Sequence, residues 1–314
     1  MSTATPQVSV IIPTYNRHAM LREAIASVLA QPDVDFELII VDDGSTDGTS
    51  RLLGELTKRD PRLIATHTEH RGPAAARNRG VELARASWIA FLDSDDLWVP
   101  TKLARQLDFM RRNPAYQIAQ CQEIWIRGGR RVNPGARHVK QAGDIFIRSL
   151  RTCLISPSAV IISAKLFRRF DGFDDSMNAA EDYDLWLRIL IDHEIGLLDE
   201  PLVTRRAGHH DQLSLMSAID RFRILALMKL LACERLPIEK RIAAGDVLVE
   251  KCRIYGNGLR HRGRIGLAEF YDRIASQASQ TWGSQPDDNL RSALREIRVV
   301  VSQNDADRVA HVDQ

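Results

Sequence analysis

Asp93, Asp95 and Asp96 fall within four residues and follow directly on the apolar run Trp88 to Leu92. Carboxylates crowded this closely repel one another unless positive charge lies between them. A buried strand that releases them into a loop would suit a divalent cation, which prefers oxygen ligands. The plainer alternative is an acidic turn that caps the next helix, since Asp favours turns and N-caps. A second acidic loop, Asp42-Asp43-Gly44-Ser45-Thr46-Asp47, also follows an apolar run, Phe36 to Val41. A third group, Glu181-Asp182-Tyr183-Asp184, opens a helical stretch. There the helix dipole alone would favour acids, so capping is the plain reading.

The elements that must position these groups are read from periodicity. Val8 to Ile12, Phe36 to Val41, Leu63 to His67 and Trp88 to Leu92 are short apolar runs that predict buried strands. Between them, 19–29, the stretch after Thr49, 74–84 and about 100–112 carry helical spacing. Four strand–helix alternations predict βαβ units and a mostly parallel sheet flanked by helices, an α/β fold. Ligands bind such sheets at the carboxyl ends of their strands. Pro13 to Arg17, Asp42 to Asp47 and Asp93 to Asp96 would therefore share one rim. Beyond Asn113-Pro114 the pattern changes. Residues 118–127 before Gly128-Gly129 predict a hairpin, and 130–141 a polar, basic loop or lid. Residues 145–150 predict a helix facing the site, 158–162 a strand, and 195–198 and 202–205 two more short strands. From Ile219 the chain reads as helices. This divides it into 1–218 and a helical region, 219–314, with 276–289 linker-like and a frayed tail from Gln303.

Bulk properties narrow the function. The chain has 314 residues, 27% of them charged, and a formal net charge of +2. That balance gives no reason to expect nucleic-acid binding. Cys121, Cys153, Cys233 and Cys252 are scattered without metal-ligand or disulfide spacing, so reduced thiols in a cytoplasmic protein are expected. Residues 1–7 lack a signal-peptide pattern, and no run approaches the ~18 apolar residues of a membrane span. Contact with the inner face of a membrane, and a homodimer, both stay open. The basic cluster Arg253, Arg260, His261, Arg262 and Arg264 is expected to form a solvated face, with an anionic partner or membrane surface as the alternative.

Taken together, the motifs resemble family 2 of the glycosyltransferases, inverting enzymes with the GT-A nucleotide-sugar fold. The resemblance covers about residues 7–215. It rests on Val8 to Arg17, Val41 to Thr49, Gly72 to Gly80, Phe91 to Asp96, Gly172-Phe173-Asp174 and Glu181 to Trp186, in that order. It implies transfer of a sugar from a nucleotide-sugar donor to a carbohydrate or lipid-linked acceptor. It implies that Pro13, Thr14, Tyr15 and Asn16 line the nucleotide pocket, with Tyr15 beside the base. Asp42 would accept a hydrogen bond from the base, and Asp43 would shape the same loop. Arg77 and Asn78 would lie near the diphosphate, with Asp93 and Ser94 on the donor. Asp93 and Asp95 match the family's metal element for Mg²⁺ or Mn²⁺, with Asp95 as direct ligand. His209 falls where a late loop approaches the metal, as a ligand or as a hydrogen bonder. Asp182 occupies the catalytic-base position. The Gln-x-x-Arg-Trp motif of polymerising relatives is absent, which implies single-sugar transfer. The competing readings are a nucleotidyltransferase, disfavoured by the Pro13 to Asn16 loop, and a non-catalytic nucleotide-sugar binder.

Overall fold

The structure is a computed structural model that describes residues 5–133, 135–208, 219–281 and 286–312. The chain opens with β1 (Val8–Thr14), α1 (His18–Leu29), β2 (Phe36–Asp42), α2 (Thr49–Leu56), β3 (Leu63–His67), α3 (Pro73–Leu83) and β4 (Trp88–Phe91). All seven residues of β1 and of β2 are buried. This is why both read as nearly continuous apolar runs rather than alternating ones, broken only by Ser9 and Glu37, which are buried and bonded to each other, Ser9 Oγ donating to Glu37 Oε1 at 2.6 Å. Parallel pairing sets Thr14 beside Asp42 and Ile11 beside Phe91. The three loops that follow these strands consequently emerge at one rim, as the alternation predicts.

The second half returns against the first. It comprises β5 (Leu97–Trp98), α4 (Lys102–Arg112), β6 (Ile118–Arg127), β7 (Arg130–Val132), α5 (Phe146–Ser149), β8 (Val160–Ser163), α6 (Ala164–Arg169), α7 (Glu181–Leu190) and β9 (Gly196–Ala207). The nine strands form one sheet in the order β3-β2-β1-β4-β8-β6-β9-β5, with β7 paired to β6. Its first four strands are parallel, while β8 runs antiparallel to β4 and to β6, and β9 runs parallel to β6. The sheet is therefore mixed beyond β4.

The expected strands at 195–198 and 202–205 are one strand. Its register shifts where Gln122 faces Pro201, and proline, which cannot donate to a ladder, is tolerated at such an irregularity. Strand β5 lies in the acidic stretch and pairs Leu97 with Thr204 and Trp98 with Val203. Two residues are too few to show a period in sequence.

Alternate side chains of the central strands go to opposite faces. Val10, Ile12, Leu38, Ile40, Ala90 and Leu92 pack with α1, α2 and α4. Ile11, Ile39, Val41, Ile89 and Phe91 pack with α3, α6 and α7. That second core continues without a break into α8 (Ile219–Leu231), α9 (Ile238–His261), α10 (Ile265–Thr281) and α11 (Asp288–Val312), so the carboxyl-terminal helices share it with the sheet. The stretch 276–289 is thus helix α10 up to Thr281, and α11 opens at Asp288. No helix among the described residues is long and apolar enough to cross a membrane.

Candidate active site

The acidic loop after β4 carries the densest charge. Asp93, Asp95 and Asp96 bring carboxylate oxygens within 4.8 Å of one another. Asp96 is the buried member. Its Oδ2 accepts from Ser158 Oγ at 2.7 Å and its Oδ1 from the Arg206 backbone N–H at 2.9 Å. Burial, then repulsion from Asp95 and Asp93, pushes its carboxyl well above the ordinary range. Burial and the Asp93 charge likewise raise Asp95, against the opposing pull of Arg17, whose Nη1 donates to Asp95 Oδ2 at 2.7 Å. Hard oxygen ligands of like charge, only partly offset by nearby cations, fit a divalent metal ion. Asp93, Asp95 and Asp96 would hold it. His209 lies outside the described residues.

Arg77 joins this loop to the start of α7. It projects from α3, is 5% exposed, and donates Nη2 to Asp93 at 2.7 Å and Nη1 to Glu181 at 2.5 Å. Burial opposes its charge, but the two carboxylates outweigh it and raise its pKa. Glu181 stays above the usual carboxylate range, because burial and neighbouring Asp182 outweigh Arg77. Asn78, the next residue, closes a two-way clasp with the backbone of Phe173: Nδ2 donates to its C=O at 2.7 Å and its N–H donates to Oδ1 at 3.0 Å. Both side chains, expected near the diphosphate, also hold the frame, while Arg77 Nε is buried without a hydrogen-bond partner.

Asp182 is half-buried. Its Oδ1 accepts from the Tyr183 N–H at 2.7 Å, and Oδ2 lies 3.5 Å from the Cys153 thiol. Burial and the Asp182 charge drive that thiol far up, so it stays protonated as a weak donor. Arg205, on β9, feels Glu123, Asp96, Asp93 and Asp182 together. Their charges overcome its burial and raise its pKa. The base candidate and the acidic cluster therefore border a common cationic group.

The nucleotide side is built by β1 and β2. Tyr15 is 42% exposed and stacks on His70, with ring centroids 3.9 Å apart and planes 20° from parallel. Asn16 takes a positive φ of 50° and ties its loop to the next, donating its N–H to Ser45 Oγ at 2.8 Å and accepting from the Thr46 N–H at 2.7 Å. Pro13 and Thr14 end β1 buried, and Ser94 is buried in the acidic loop.

Asp42 is 1% exposed. It accepts from Ser45 N–H and Ser50 Oγ and meets His67 Nδ1 at 3.1 Å. Those bonds outweigh its burial and lower its pKa. Asp43 accepts from the Arg71 and Gly72 N–H groups and meets His70 Nδ1 at 2.8 Å. Both carboxylates build the loop, and Asp42 Oδ1, which accepts from Ser45 N–H, keeps acceptor capacity.

Sequence reading left out Arg17, His70, Ser158, Arg205 and Arg206, all of which meet the site. Local signals were available in Arg17 of the first rim loop, in His67-x-x-His70 at the end of the third strand and in the paired Arg205-Arg206.

An acidic cluster at the carboxyl rim of a mixed sheet flanked by helices is consistent with a GT-A type α/β protein, and likeness to known proteins bears this out. The chain belongs to glycosyl transferase family 2, whose model matches residues 9–171. An uncharacterized glycosyltransferase of Rickettsia felis is 37% identical over 203 residues, 62% of this chain and 32% of that protein. The chain thus spans about a third of the length of that relative. Among solved structures, S. aureus TarS 1-349 in complex with UDP-GlcNAc is similar at TM-score 0.63 and 21% identity, covering 79% of this chain and 72% of that one. The mannosyltransferase PcManGT of Pyrobaculum calidifontis, in complex with GDP-Man and Mn2+, gives a TM-score of 0.57 at 19% identity over 96% and 88%. At these identities the likeness is one of fold.

Proposed function

We propose that the protein transfers one hexosyl group, with inversion, from a nucleoside-diphosphate sugar to an acceptor hydroxyl. In this reading Tyr15 and His70 receive the base, and Asp182 is the general base. The single observation that carries it is the Arg77 bridge, with Asp93 at one end and Glu181, the residue before Asp182, at the other. It spaces the two acidic groups across a gap that one cation, Arg205, also addresses.

The acceptor oxygen forms a bond to the anomeric carbon as the bond from that carbon to the diphosphate oxygen breaks. The acceptor proton passes to Asp182, and the bonding pair leaves with the diphosphate. Attack from the face opposite the leaving group inverts the centre. A divalent ion, Mg²⁺ or Mn²⁺, held by Asp93, Asp95 and Asp96 would neutralise charge growing on the diphosphate. Tyr183 N–H holds Oδ1 of Asp182 in place, and Oδ2, which meets only the weak donor Cys153 Sγ, takes the proton. Arg17 and Arg205 supply fixed positive charge beside the leaving group, Arg17 held by Asp95 and Arg205 over the Trp125 ring.

The test is Asp182→Asn. General-base help is typically worth ~10²–10⁴-fold. Transfer should fall by that factor while nucleotide affinity, read by calorimetry with Mn²⁺, holds. Parent-level transfer by Asp182→Asn would remove the base from the mechanism.

A further inference from the structure

We infer that the acceptor is a polyanionic chain, and that the β6–β7 hairpin and the loop after it form the surface that binds it. This rests on the transfer reading above and names its acceptor class.

From Arg127 to Arg151 the chain carries seven cationic residues and one acid, Asp144. The whole protein is only +2, so the rest of it is net negative. Asp144 is taken by Lys240 at 3.0 Å, Arg151 is taken by Glu250, and Lys140 meets Glu123 at 3.5 Å. Arg127, Arg130, Arg131, Arg137 and Arg148 meet no carboxylate among the described residues. An ordinary solvated face intersperses both signs. Six of the seven cations are arginine, whose planar fork matches phosphate, sulfate or carboxylate groups two bonds at a time.

The hairpin register adds an independent argument. Gly128 and Gly129, at φ 55° and 75°, make the tight turn and set Arg127 directly opposite Arg130. Like charges facing across a ladder destabilise it. A register that keeps them there is relieved when an anion sits between them.

Topology puts this surface at the reaction cleft. Strand β6 lies beside β9, with Trp125 opposite Arg205 and Ile126 opposite Arg206. The Arg205 guanidinium covers the Trp125 ring at 4.9 Å, and His138 packs on the same ring at 5.3 Å. Burial, Arg137 and Arg205 hold the His138 imidazole below its usual pKa, as expected where positive charge converges. Arg127 and Arg130 lie two and five residues along the chain from Trp125, and at ~3.3 Å per strand residue the turn stands roughly 7–10 Å beyond that ring. That is farther than one sugar reaches. The geometry therefore suits an acceptor that carries charge on units beyond the one that reacts.

The experiment compares the parent with Arg127→Gln/Arg130→Gln/Arg131→Gln, three exposed sites whose loss leaves the core untouched. Calorimetry measures binding of inorganic polyphosphate, with neutral dextran as control and phosphatidylglycerol vesicles as a third arm. The parent should bind polyphosphate and not dextran, lose that binding in 1 M salt where the Debye length is ~3 Å, and bind it at least about tenfold more tightly than the variant. Equal binding by parent and variant, or no binding by the parent, overturns the inference. So does tighter binding of the parent to vesicles than to polyphosphate at equal charge, which would make the surface a lipid contact. UDP and GDP with Mn²⁺ are titrated in parallel. If neither binds the parent, the transfer reading fails by itself, whatever the polyphosphate arm shows.

Discussion

Replacing Arg77 with Met separates a framework role from a donor-binding one. The side chain is nearly buried and its two carboxylate bonds are short, at 2.7 and 2.5 Å. Its loss leaves Glu181, whose side chain is 6% exposed, as an uncompensated buried charge beside Asp182. Removing one partner of a buried ion pair costs about 3–5 kcal/mol. Asp93 is 30% exposed and can recover water, which favours the lower end, about 3 kcal/mol. For a chain of this size 1 kcal/mol corresponds to roughly 2–4 °C, so the melting temperature should fall by roughly 6–12 °C. Arg77→Lys should recover only part of this, because a single ammonium cannot fork toward two carboxylates.

The decisive comparison is Arg77→Met with Arg77→Met/Glu181→Gln. Neutralising Glu181 removes the stranded charge, so the double variant should melt above the single one, a coupling that thermal unfolding resolves. Turnover should drop about 10²-fold in Arg77→Met, since the acidic loop and α7 lose the tie that spaces them. Nucleotide affinity should change less than turnover. If instead Arg77→Met melts with the parent while nucleotide affinity collapses, the guanidinium acts on the diphosphate and the framework argument is wrong.

Two further outcomes follow from packing and charge. Lys229 on α8 lies 2.6 Å from Asp174, and burial's upward push on that carboxyl is overcome by Lys229 and by Ser176, leaving it at about 2 against an ordinary 3.8. A lowered folded pKa stabilises above the unfolded value and is lost as pH falls from about 3.8 toward about 2. Asp174→Asn should therefore cost about 1–2 kcal/mol at neutral pH and flatten the acid limb of the melting curve against pH over that window. An unchanged acid limb would show that the pair contributes nothing. Gly80 packs α3 on β1 so closely that a Cβ would stand 2.4 Å from Ile11 Cγ2. Gly80→Ala should cost about 1–3 kcal/mol despite better helix propensity, and it should cost less in an Ile11→Ala background, which lacks the Cγ2 methyl. A Gly80→Ala protein that melts with or above the parent would refute that contact.

How much of this was legible in the chain follows from how far each signal reaches. Val8 to Ile12, Phe36 to Val41 and Trp88 to Leu92 are buried on both faces, and their composition alone says so. Three acids in four residues likewise announced the loop, whatever the fold around it. The mixed half of the sheet carried no such mark, because β5 is two residues long and the irregularity at Pro201 splits β9 into two apparent strands. Arg77 was found by its motif, but not its protein partners. Its partners lie 16 and 104 residues away, and no local period encodes them.

The same limit explains Asp42 and Asp43. Their types fit a base-binding loop, but each makes its contacts with backbone and side chains of that loop and of the residues after β3. An acid can be essential to a nucleotide pocket by shaping it rather than by touching the ligand. The two roles respond differently to substitution. A carboxylate that accepts two backbone N–H groups leaves them unpaired when replaced by Ala, at about 1–3 kcal/mol per buried group. Asp43→Ala should therefore lower the melting temperature as well as nucleotide affinity, with Arg71 and Gly72 losing their acceptor. A ligand contact alone would lower only the affinity. If Asp43→Ala melts with the parent, the loop does not depend on that carboxylate, and the loop-shaping role read from the sequence fails with it.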